Sequence, residues 1–159
     1  MDTMKVEHNV FINLPVEEIF LYMSNLENLT DWSGVVISAR KISSEAMLVG
    51  TTIRCTIRIL GRWFDTTYVI VECVPDRYLT FKSISSVSPC LICYQFEPVE
   101  SLGTKVIVEE TIDFTGGLGF AEPVIKGAIR RQLSSDLLAL KDLLEATTTI
   151  NKNDENLMM

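Results

Sequence analysis

FAEPVIKGAIRRQLSSDLLALKDLLEA, residues 120–146, decides the fold. Its apolar positions Ile125, Ile129, Leu133, Leu137, Leu140 and Leu144 advance in steps of four, four, four, three and four. Only a helix brings such positions onto one side. Together with Leu143 they span an arc of roughly 120°, at about 100° per residue, which is broad enough to face a core. Arg130, Arg131, Ser134 and Ser135 fall on the opposite face. At ~1.5 Å per residue the helix reaches about 40 Å, longer than a single strand. It is expected to lie across a whole sheet.

The rest of the chain reads as that sheet. Residues 4–13 alternate, with Met4, Val6, His8, Val10 and Ile12 on one face. Pro15 suits the first turn of a helix carrying Val16, Ile19, Phe20 and Met23. Asn25 or Asn28 is placed to cap a second short helical piece ending at Trp32. Strands are predicted over 35–42, 51–60, 63–74, 78–85, 91–97 and 104–114. Gly61-Arg62 is read as a tight hairpin turn. Connections this short force antiparallel pairing, since parallel neighbours need long crossovers. A run of glycines, 116–119, leads into the long helix, and residues 148–159 are polar without periodicity, which predicts a frayed tail. The class is α+β, with one domain over 1–147.

Bulk composition narrows the function. A formal net charge of −7 argues against nucleic acid or an anionic membrane surface as partner. The longest apolar runs are too short to span a bilayer, so no stable membrane insertion is expected. The opening MDTMKVEHN lacks an apolar signal core, which predicts a cytoplasmic protein. Four cysteines in 159 residues make no disulfide framework and are expected to be reduced.

Three stretches carry a family resemblance: FINLPVEEIFLYMSNLENLTDW, ECVPDRYLTF and GTKVIVEE. The first is a strand, a proline, an acidic-plus-aromatic helix and a tryptophan; the second is an acidic–Pro–basic–Leu turn; the third is a Gly-Thr strand opening. Together with the element order, they resemble the START-like (SRPBCC) superfamily, in its polyketide cyclase/dehydrase and lipid-transport branch, over about residues 4–146. The resemblance implies a helix-grip fold: a curved antiparallel sheet of six to seven strands wrapped around the long C-terminal helix, with two short helices after the first strand. It also implies a cavity between sheet and helix. A curved sheet cannot touch a straight rod everywhere, and an apolar gap suits a small hydrophobic ligand.

The expected lining is Trp32, Ile53, Cys55, Ile57, Phe81, Tyr94, Phe96, Val108, Glu110, Ile125, Ile129, Gln132, Leu133 and Asp136. Asp136 falls inside the apolar arc of the helix, with Gln132 at its edge, and Glu110 shares a face with Val106, Val108 and Ile112. A carboxylate so placed needs a partner, water or a raised pKa; sheet twist or a strand end that leads it to solvent is the alternative. Cys90 and Cys93 have metal-pair spacing, but in a strand an odd separation sends them to opposite faces, so they read as small apolar residues and no metal is expected. His8 is the single histidine, and a lone His is more often a core polar group than a base. No cofactor and no catalytic residue is assigned. The expected function is binding of a small hydrophobic or amphipathic ligand such as a lipid or polyketide-like molecule. A cyclase or dehydratase using Asp136, Glu110 or His8 is the alternative, and a homodimer through an exposed helix or sheet face is a third expectation.

Overall fold

The structure is a computed structural model that describes residues 3–43, 48–85, 89–100, 103–113 and 122–157, with backbone alone at 85, 122 and 148–156. The predicted glycine run 116–119 and Phe114 lie outside these residues. Strand β1 (Thr3–Ile12) is followed by helix α1 (Val16–Ser24), a 3₁₀ turn (Leu26–Asn28) and the short helix α2 (Leu29–Trp32). Strands β2 (Val36–Lys41), β3 (Thr52–Ile59), β4 (Arg62–Val74), β5 (Tyr78–Ser85), β6 (Cys90–Val99) and β7 (Gly103–Asp113) then lead to helix α3 (Glu122–Leu157). All neighbours pair antiparallel in the order β1-β7-β6-β5-β4-β3-β2, so this is the helix-grip arrangement with seven strands.

Local chemistry explains the boundaries. Pro15 stands immediately before α1 in an extended conformation, where its missing N–H costs the helix nothing. Asn25, not Asn28, caps the next segment: its Oδ1 accepts from the Glu27 N–H at 3.2 Å. The β3–β4 turn is centred on Leu60 and Gly61 rather than on Gly61 and Arg62, because Ile59 pairs with Arg62 and both central residues take positive φ, 50° and 79°. That is the hairpin turn whose twist matches the flanking strands. Strand β6 begins one residue earlier than expected and runs on to Val99, since Pro98 and Val99 pair with Thr104 and Gly103 beside the turn. Helix α3 does not fray after Thr147 but stays helical to Leu157, consistent with the low cost of extending a helix already nucleated.

The stripe on α3 does what its spacing predicts. Ile125, Leu137, Leu140 and Leu144 are buried, while Arg130, Arg131 and Ser135 are exposed. Each fully buried aliphatic side chain contributes roughly 1.5–3 kcal/mol. At one end, Phe20, Met23 and Leu26 from the first helical segments fill the space against the sheet, and Phe20 meets Phe96 edge-on at 5.5 Å. The core is solid there. Farther along, Ile129 and Leu133 are only half-buried, and there sheet and helix part. Among the described residues no helix is long and apolar enough to cross a membrane.

Candidate functional site

Between the sheet and α3 lies a cavity of about 190 Å³. A space of that size admits a small molecule. Its apolar wall is built from Ile57 of β3, Phe81 of β5, Val108 and Ile112 of β7, and Ile125, Ile129, Leu133 and Leu137 of α3. Aromatic rings form a row along one side. Tyr68 and Phe81 are 5.3 Å apart, Phe81 and Tyr94 5.6 Å, and Tyr94 and Trp32 6.2 Å. The cavity reaches the surface at the β3–β4 hairpin, where Arg58 and Leu60 are exposed.

Eleven of the fourteen expected residues border this space: Trp32, Ile57, Phe81, Tyr94, Val108, Glu110, Ile125, Ile129, Gln132, Leu133 and Asp136. Ile53, Cys55 and Phe96 do not; they are buried in the solid part of the core. Alternation had put them on the correct face, but the hollow occupies only part of each strand's length. Sequence reading missed Tyr68, Cys90 and Ser33. Tyr68 alternates with buried Thr66 and Ile70, a signal that could have found it. His8 is half-buried on the inward face of β1 but does not border the cavity.

A few polar groups interrupt the apolar wall. Asp136 projects from α3 toward the corner between α2 and β2. Its Oδ1 accepts from the Gly34 N–H at 2.8 Å and from Gln132 Nε2 at 2.7 Å, and Ser33 Oγ donates to its Oδ2 at 3.4 Å. Gly34 sits close against this group: a Cβ there would displace the Gln132 amide and lie 3.3 Å from Asp136 Oδ1, disturbing the Gln132–Asp136 hydrogen bond. Burial raises the Asp136 pKa, opposed by the three hydrogen bonds that favour the carboxylate.

Glu110 is different. It sits on β7, flanked by Val6 of β1 and Ile92 of β6, and its carboxyl group has no hydrogen-bond partner among the described residues. It keeps some accessible surface yet is strongly desolvated; the two agree because the surface it keeps borders the cavity rather than bulk water. Burial, and then the charge on Asp136, push its pKa up to about 7. Burial also holds the Tyr94 and Tyr68 phenols well above their usual range, with Glu110 adding to both. The Cys90 thiol is pushed up to about 12 by burial and by Glu110, so it is no thiolate at neutral pH.

Cys90 and Cys93 do point apart: Cys90 borders the cavity, whereas Cys93 Sγ receives a hydrogen bond from Thr80 Oγ1 at 3.3 Å. Among the described residues no group of three or more His, Cys, Asp or Glu side chains could hold a metal ion. The arrangement is an oily hollow bordered by two acids and two phenols. It can bury an apolar body, accept hydrogen bonds, and hold or release a proton near neutrality.

A family model described as polyketide cyclase/dehydrase and lipid transport matches residues 3–145. No curated protein sequence matches the chain. Among solved structures, TTHA0849 from Thermus thermophilus superposes with a TM-score of 0.78 at 19% identity, covering 91% of this chain and 99% of that one. A START superfamily protein from Mycobacterium smegmatis gives 0.79 at 14% identity, with coverages of 90% and 98%. The Zhui aromatase/cyclase from Streptomyces sp. R1128 gives 0.76 at 12% identity, with coverages of 91% and 94%.

Proposed function

The chain belongs to the polyketide cyclase/dehydrase and lipid transport family, and from that premise we propose that it binds a small amphipathic molecule in the cavity between sheet and α3. One observation carries the reading: a mostly apolar cavity whose lining includes few polar groups, Glu110 and Asp136 among them. Such a site buries a hydrophobic body by exclusion of water and orients it through one polar head. The size of the hollow favours a short aliphatic or single-ring guest over a long-chain lipid.

Ile129→Trp tests this. Ile129 borders the cavity and is half-buried, so the indole has room to enter. Overpacking costs about 1–3 kcal/mol where no space exists, and less where a void is filled. The expected result is a folded variant whose melting temperature no longer rises with small hydrophobic ligands that raise that of the wild type. Equal ligand response in both proteins would remove the cavity as the binding site.

A second reading is favoured by Glu110. A carboxyl group titrating near 7 beside Asp136 and Tyr94 is suited to general acid–base work, as a cyclase or dehydratase requires. The aromatase/cyclase among the structural neighbours supports it. Turnover of a polyketide-like substrate that is lost in Glu110→Gln, with binding retained, would establish it over simple carriage.

A further inference from the structure

Glu110 is a desolvated carboxyl group facing the cavity with no hydrogen-bond donor supplied by the described residues. Asp136, the other acid, already accepts from three protein donors, which favour its charged form against its burial. Among the described residues bordering the cavity there is no lysine or histidine, and the single arginine, Arg58, is exposed with its guanidinium 6.0 Å from the Trp63 ring. The acid pair thus has no internal counter-charge. Around the same cavity stand the aromatic faces of Trp32 and Tyr94. A positive charge placed there meets two carboxylates and ring π-faces together.

We propose that the head group of the bound molecule is a small organic cation, an alkyl- or arylalkylammonium, whose N–H bonds are accepted by Glu110 while its apolar body fills the space beside Ile129 and Leu133. This rests on the cavity being the binding site and adds the charge of its occupant. The alternative head is a neutral carbonyl or hydroxyl, to which a protonated Glu110 would donate. The cation is favoured because it supplies the counter-charge that the described residues around the cavity lack, whereas a neutral head leaves Asp136 without one.

Proton balance follows. Where Glu110 is protonated in the empty protein, binding of the ammonium ion displaces that proton to solvent, so acid competes with the ligand. The other groups facing Glu110 are Asp136 from α3, Cys90 and Tyr94 from β6, and Tyr68 from β4; the phenols and thiol stay neutral below pH 9. With Glu110 titrating at about 7, affinity for the ammonium should fall about tenfold from pH 8 to pH 6.

The test pairs 2-phenylethylamine with 2-phenylethanol, matched in shape and different in charge, by isothermal titration calorimetry. The amine is expected to bind at least tenfold more tightly at pH 8, to lose most of that preference at pH 6, and to release protons on binding. E110Q should weaken amine binding at least tenfold. E109Q removes an equal charge from the neighbouring residue of the same strand, where Glu109 pairs with Lys5 at 3.3 Å on the outer face. It should leave amine affinity within twofold, which separates a local contact from attraction by the chain's net charge of −7. If the alcohol binds as tightly as the amine, or if E110Q and E109Q weaken the amine equally, the cationic head is wrong and the cavity reading stands. If neither compound binds, both fall.

Discussion

Glu110 stores a folding penalty. The unfolded chain loses this proton near 4.5, whereas the folded protein keeps it to about 7. Between these values the folded state binds more protons, so stability falls as pH rises. The loss is complete above pH 7 and absent below pH 4.5, and its full size is about 3 kcal/mol. Glu110→Gln abolishes the titration. Urea unfolding should find the variant more stable than wild type at pH 8, by up to about 3 kcal/mol, with the advantage gone at pH 4.5. An advantage equal at both pH values would show that Glu110 is not desolvated. Burial raises the Asp136 pKa as well, but there the Gly34 N–H, Gln132 and Ser33 oppose the rise, a support that the Glu110 carboxyl group lacks among the described residues.

The β3–β4 hairpin bears a different strain. Its turn holds Leu60 at φ 50°, a left-handed conformation that costs most L-residues roughly 1–2 kcal/mol and asparagine much less. Leu60 is exposed and borders the mouth of the cavity. Leu60→Asn should therefore raise stability by about 1 kcal/mol in thermal or chemical melts. No gain would mean that contacts at the mouth offset the backbone cost. Helix α3 was the most legible element, since six apolar positions at helical spacing allow no other periodicity, and the same wheel exposed Asp136 as a carboxylate among leucines. Alternation along β7 likewise exposed Glu110. Hydrophobic pattern gives the face of an element but not the depth at which neighbouring layers separate, so Ile53, Cys55 and Phe96 were read as lining when they are core.

For the molecule as a whole, antiparallel order and a sheet around one long helix followed from short connections, the terminal helix and the family resemblance carried by three stretches. What stayed hidden was long-range. Gly34 reaches Asp136 across 102 positions of chain, and Cys90 fell just before the predicted strand 91–97, whereas its pairing with Ile112 sets it inside β6. Tyr68, Cys90 and Glu110 converge only because β4, β5, β6 and β7 are laid side by side in a given register. Their cooperation is a property of the folded sheet.

The two indoles are divided between interior and exterior. Trp32 borders the hollow and is 7% exposed; Trp63 stands on the outside at 60%. Nature has thus installed an optical gauge with its own reference. A compound lodged inside should shift Trp32 emission and shield it from acrylamide, and the shift should survive Trp63→Phe. One that merely adheres to the skin near Trp63 should lose its signal in that variant.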